Sequence, residues 1–145
     1  MNLKDKVCII TGAASGIGHG IAERFIADGA KVVIADLKLD AAQKTADALT
    51  AQGPGTAMAV EMDVTDEAQV NAGIEAVVTK WGKIDVLVSN AGIQIVHPLQ
   101  DFPFADWKKL LSIHLDGAFL TSRACLPHMY KAGSGSIIFM GSVHS

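Results

Sequence analysis

The sequence predicts an α/β fold, a doubly wound parallel sheet with strand order 3-2-1-4-5, truncated after strand 5. Three observations predict it. Short β-rich apolar runs alternate with longer runs of helical spacing, with little linker between them. The strand candidates are nearly continuous in apolar residues, the pattern of a parallel sheet covered on both faces. The first of them, Val7 to Thr11, runs straight into the glycine cluster Gly12, Gly16 and Gly18 and then into a helical pattern.

Strand 1 is expected over Val7–Thr11 and a helix over 16–28, with Ile17, Ile21, Phe25 and Ile26 on its inner face and Gly29 ending it. Strand 2 follows over 31–35. An Ala-rich helix over 40–51 is broken by Gly53-Pro54-Gly55, and strand 3 covers 57–62. Thr65 or Asp66 caps a helix that Gly82 closes, and strand 4 spans 84–89. From Phe104 to about Lys131, Trp107, Leu111, Leu115, Ala118, Phe119, Ser122, Leu126 and Met129 fall three and four apart. That spacing predicts one long helix, bent near its end by Pro127. Strand 5 is expected over 136–140.

The 145 residues suit one domain, residues 1–145, able to bury about two-thirds of the surface its unfolded chain exposes. Half the residues are apolar, 19% are charged and the formal charge is −3, with no Lys/Arg run. That balance argues against nucleic acid or an anionic membrane as partner and favours small molecules. No signal peptide, spanning segment or disulfide framework is visible, so a cytoplasmic setting is expected. The five histidines and the cysteines Cys8 and Cys125 show no metal-ligand spacing, and Trp81 and Trp107 read as core or interface residues.

Glycine at 12, 16 and 18 permits a tight turn and close backbone approach, with free N–H groups and the positive end of a helix dipole facing an anion. A dinucleotide pyrophosphate is the ligand this geometry suits. The spacing, Gly-x-x-x-Gly-x-Gly after Thr11, departs from the common Gly-x-G-x-x-Gly fingerprint. It resembles the short-chain dehydrogenase/reductase family, whose Rossmann-type domain opens on Thr-Gly-x-x-x-Gly-x-Gly. Asp36 ends strand 2, eighteen residues after Gly18, where a carboxylate can accept hydrogen bonds from an adenosine ribose and repel a 2′-phosphate, which implies NAD.

Asp63-Val64 after strand 3 and Asn90-Ala91-Gly92 after strand 4 match two further family motifs, at the strand ends where open parallel sheets bind ligands. The resemblance makes Gly12, Ser15, Gly16, Ile17, Gly18, Asp36, Asp63, Val64, Asn90, Ala91 and Gly92 the cofactor-binding set. Ser15 and Leu37 stand where members that prefer NADP often carry a basic residue, although Lys38 is nearby.

The resemblance also makes Ser142 the catalytic serine that hydrogen-bonds the substrate oxygen. A hydroxyl suits that task because it both donates and accepts. The family's proton-transferring Tyr-x-x-x-Lys pair falls past Ser145; Tyr130, the one tyrosine here, is followed four positions on by Ser134. His114 stands at the family's helix asparagine, in His114-Leu115-Asp116-Gly117, and is a candidate for that residue's part in a proton relay.

From Lys4 to Ser145, and most closely in 89–99, 113–119 and 140–145, the sequence is similar to the branch of this family formed by bacterial D-3-hydroxybutyrate dehydrogenases. That likeness implies a hydroxy acid or keto acid substrate bound by Gln94, Ser142 and His144, with Gln94 and His144 holding its carboxylate. Charge-assisted hydrogen bonds of about 1.5–3 kcal/mol each would supply affinity that so little apolar area cannot. It also implies a homo-oligomer, tetrameric through the long helices. A second reading is a catalytically silent NAD-binding half-fold or interaction module.

Overall fold

The computed structural model describes residues 2–141. At its centre lies β1 (Val7–Thr11), in which every residue is buried. It pairs in parallel with β2 (Lys31–Asp36) on one side and β4 (Val86–Ser89) on the other. Beyond these lie β3 (Thr56–Glu61) and β5 (Ser136–Phe139), giving a five-stranded sheet of order β3-β2-β1-β4-β5, all neighbours parallel. The expected fold class and strand order are therefore observed.

Parallel strands need crossovers, and helices supply them: α1 (Gly16–Ala27), α2 (Leu39–Gln52), α3 (Glu67–Trp81), and α4 (Phe104–Leu111) with α5 (Gly117–Ala132). The two-residue period of a strand then divides the core between the sheet's faces. Val7, Ile9, Val33 and Leu87 pack with Val70, Ile74 and Val77 of α3 and with Cys125 and Met129 of α5. Cys8, Ile10, Val32 and Ile34 pack with Ala22 and Ile26 of α1 and with Ala42, Ala46 and Leu49 of α2. Ile84 is buried, as its apolar character requires, but it precedes the paired residues of β4. Asp85 between them accepts the Val7 N–H at 2.8 Å and pairs with Lys83 Nζ at 3.0 Å, fixing the entry to β1.

Helix ends follow their capping residues. Asp66, not Thr65, caps α3 by accepting the Gln69 N–H at 3.1 Å, and Gly82 closes it in the left-handed region at φ 79°. Two helix faces differ from expectation. The buried line of α1 is Gly18, Ala22 and Ile26, while Ile17 is 69% exposed. Small residues face inward because the helix start sits close against the sheet: a Cβ on Gly18 would lie 2.5 Å from Asn90 Nδ2 and 2.6 Å from the Gly12 oxygen.

The long helix is not one α-helix. A π-helical turn over Ser112–Asp116 separates α4 from α5. The extra residue in that turn rotates the face that follows. The buried line of α5 is consequently Gly117, Thr121, Cys125 and Met129, and Trp107, Leu115 and Phe119 of the expected apolar stripe are exposed. Pro127 lies within α5.

Candidate functional site

In this strand order the chain leaves β1 toward one side of the sheet and β4 toward the other, and a crevice opens between the loops at their C-terminal ends. A cleft of about 490 Å³ occupies that place. Gly12 and Ser15 from the loop after β1 line it, with Asp36 and Leu37 after β2, Asp63, Val64 and Thr65 after β3, and Asn90 to Ile93 after β4. Lys109, Ser112 and Ile113 complete it from α4 and the π turn.

The glycine loop is held from three directions. Gly12, at φ 66°, donates its N–H to the Ala35 oxygen at 2.8 Å, and a Cβ there would lie 3.1 Å from Ala91 Cα. Ala14 donates its N–H to Asp36 Oδ2 at 3.1 Å, so the carboxylate that ends β2 also anchors the loop after β1. The Lys38 N–H reaches Asp36 Oδ1 at 3.4 Å. The third hold is Asn90, whose Nδ2 donates to the Thr11 and Gly12 oxygens at 3.2 and 3.4 Å.

Ser15 occupies the N-cap of α1 in extended geometry, yet its side chain makes no capping bond, and the first turn carries no acidic residue. Gly16 follows at φ 60° with open space where a Cβ would stand. The first turn of α1 thus carries no anion of its own, beside a loop that glycine lets close up. Gly16, Ile17 and Gly18 shape this helix start without lining the cleft itself.

Asp63 Oδ1 accepts the Thr65 N–H at 2.9 Å and the Thr65 hydroxyl at 2.7 Å. This turn orients the carboxylate, whose Oδ2 makes no hydrogen bond to other described residues. Val64 is buried against Gly117, where a Cβ would come within 2.7 Å of Val64 Cγ2. The start of α5 therefore packs close behind the loop after β3.

His114 lies on the π turn with Nε2 at 2.9 Å from the Ile93 oxygen, and its ring passes so near Gly92 that a Cβ there would sit 2.5 Å from Cε1. The ring engages the backbone of the loop after β4. Gln94 lies on that loop, exposed and outside the cleft lining. Ser142 and His144 fall outside the described residues.

The residue given no role from sequence, Thr11, is one of two buried polar side chains among the described residues. Its hydroxyl accepts the N–H groups of Asn90 at 3.0 Å and Ala91 at 2.9 Å. The signal was the threonine that opens the glycine motif. Lys109 and Ile113 carried no comparable mark; only the cleft shows them.

The family model described as short chain dehydrogenase matches residues 6–145. The chain belongs to the short-chain dehydrogenase family. A galactitol 2-dehydrogenase of Agrobacterium fabrum is 42% identical over 143 residues, covering 98% of this chain and 54% of that protein. A 3-oxoacyl-(acyl-carrier-protein) reductase of Thermotoga maritima is 40% identical over 146 residues, with 99% and 58% covered. A meso-2,3-butanediol dehydrogenase of Serratia marcescens is 38% identical over 143 residues, with 99% and 55% covered. The chain thus spans about half the length of the curated relatives it matches.

These relatives are named for different substrates, so family membership alone does not name one. Short-chain dehydrogenases bind NAD or NADP. The uncapped start of α1, the close-packed glycine loop and the carboxylate at the end of β2 fit such a dinucleotide. Among the described residues no three His, Cys, Asp or Glu side chains gather as a metal site, and no helix is long and apolar enough to cross a membrane.

Proposed function

We propose that this short-chain dehydrogenase transfers hydride between NAD and a short 3-hydroxy acid, interconverting (R)-3-hydroxybutyrate and acetoacetate. Residues 1–145 are its NAD-binding domain. The observation that carries the cofactor assignment is the anchoring of Asp36 to the Ala14 N–H, which holds a carboxylate at the cleft edge. There it accepts the ribose hydroxyls of NAD and meets the 2′-phosphate of NADP with like charge.

When bound, the nicotinamide gives and receives the hydride. This chain's residues bind and orient it. Gly12, Ser15, Gly16, Ile17 and Gly18 receive the pyrophosphate at the start of α1; Asp63 and Val64 hold the adenine edge; Asn90, Ala91 and Gly92 form the floor. Thr11 and Asn90 keep the glycine loop and that floor in register. His114 positions the loop after β4 through the Ile93 oxygen. Ser142 hydrogen-bonds the reacting oxygen, and Gln94 and His144 bind the substrate carboxylate, roles that rest on the resemblance of these segments.

The exposed apolar side chains Trp107 and Phe119 on α4 and α5 support burial in a homo-oligomer, a tetramer by the same resemblance. The deciding experiment follows NADH formation by the intact protein. The reading expects turnover with (R)-3-hydroxybutyrate and NAD, little with NADP and none with the (S) isomer. NAD binding without turnover on any hydroxy acid would instead support a silent dinucleotide-binding module.

A further inference from the structure

Two carboxylates, Asp36 and Asp63, and one ammonium, Lys109, are the charged side chains among the described residues lining the cleft. A dinucleotide brings two negative pyrophosphate charges, which the partial charge of about +0.5 at a helix start offsets only in part. Without a further cation the cleft would present a net negative field to an anionic ligand.

Lys109 is placed to supply that cation. It stands four residues before Ile113 and three before Ser112, on one side of a helical run, and all three line the cleft. Its neighbour Lys108 is engaged elsewhere, with Nζ 5.5 Å from the Phe104 ring centroid. The ion pairs among the described residues leave Lys109 without a carboxylate partner. Its carbonyl accepts the Ser112 hydroxyl at 2.9 Å, which ties the backbone at this turn. The packing of Gly117 on Val64 brings the start of α5 against the loop after β3, which carries Asp63.

We propose that Lys109 is a positioning residue for the adenosine half of the dinucleotide, its ammonium offsetting Asp36 and Asp63 and drawing the anionic ligand onto that end of the cleft. The inference rests on the cleft being the dinucleotide site. It goes beyond it in assigning a charge contribution to α4.

The test is calorimetric titration of the intact protein with NAD and with ADP-ribose at low and high sodium chloride, for the native protein and for Lys109→Met, Lys109→Arg and Lys108→Met. Lys109→Met is expected to weaken both ligands about five- to twentyfold and to flatten the salt dependence, because a screened ion contact has been removed. Lys109→Arg and Lys108→Met should stay within about twofold of native, and the melting temperature of Lys109→Met should not move, since the side chain is exposed. Native-like affinity and salt slope in Lys109→Met would overturn the inference while leaving the site intact. Failure of the native protein to bind NAD would overturn the site reading and this inference together.

Discussion

Thr11 and Asn90 are locked by two hydrogen bonds that Asn90 donates: its N–H to the Thr11 hydroxyl at 3.0 Å, and its Nδ2 to the Thr11 carbonyl oxygen at 3.2 Å. The same hydroxyl accepts the Ala91 N–H at 2.9 Å. One buried oxygen thus joins the ends of β1 and β4 at the point where the chain diverges. Thr11→Val keeps the shape and strands two N–H groups, which should cost about 1–3 kcal/mol in urea unfolding. Thr11→Ser should retain most of that stability. A larger loss in Thr11→Ser than in Thr11→Val would mean that the methyl group, not the hydroxyl, matters.

Gly18 and Gly20 lie on one helix two residues apart and predict opposite outcomes. A Cβ on Gly18 meets Asn90 Nδ2 and the Gly12 oxygen, so Gly18→Ala should destabilise by about 1–3 kcal/mol and weaken NAD binding by shifting the loop. At Gly20 a Cβ meets nothing within 4 Å, and Gly20→Ala should stabilise by about 0.5–1 kcal/mol through helix propensity. Thermal melts of the pair check both signs.

The sheet was readable because fully buried parallel strands leave a plain mark, uninterrupted apolar residues bounded by glycine and polar turns. Val7–Ile10 and Lys31–Ala35 are such runs, and the residues after them fall at the cleft by topology alone. The helices misled because apolar periodicity does not say which face packs on the sheet. Ile17 and Phe119 looked like core, yet close approach to the loops at the strand ends selects Gly18 and Gly117, where an added Cβ would collide. The π turn left no mark in the apolar spacing, and the residues packed on it and next to it, Gly92 on His114 and Val64 on Gly117, are distant in sequence.

Asp36 is predicted to govern cofactor choice. Asp36→Asn keeps an acceptor for the Ala14 N–H but removes the charge, so NAD should bind about tenfold more weakly and NADP more tightly. Titrating both cofactors gives the ratio directly. An unchanged ratio would move the discrimination to Lys38 or Leu37.

Cys8 and Cys125 are buried free thiols, and burial pushes each up to about 12 from the ordinary value of 9.0. Asp85 adds to the rise at Cys8. Above pH 9 the unfolded chain releases the thiol protons while the folded chain keeps them. Fewer protons on the unfolded state give a negative slope, so stability should fall as pH rises from about 9 toward 12. Denaturant unfolding at pH 8 and pH 10 should show a drop that is smaller in Cys8→Ala/Cys125→Ala, each compared with its own pH 8 value.

His114 acts on the loop after β4 through one ring nitrogen. The Ile93 oxygen lies 2.9 Å from Nε2 and the Ile93 nitrogen 3.4 Å, and a single nitrogen cannot donate to the first while accepting from the second. The shorter distance makes Nε2–H donating to the Ile93 oxygen the bond that counts. His114→Phe would fill the space against Gly92 without a donor, releasing Ile93 and the segment toward Gln94. Hydrogen exchange should then rise across residues 93–98, with about 1 kcal/mol lost from global stability. His114→Asn supplies a shorter donor at the position where the family carries asparagine, and should protect the loop better than phenylalanine does. Because the loop carries the proposed carboxylate ligand, His114→Phe is expected to raise KM for the hydroxy acid more than it lowers kcat. A fall in kcat alone, with the loop still protected, would instead place His114 in proton transfer.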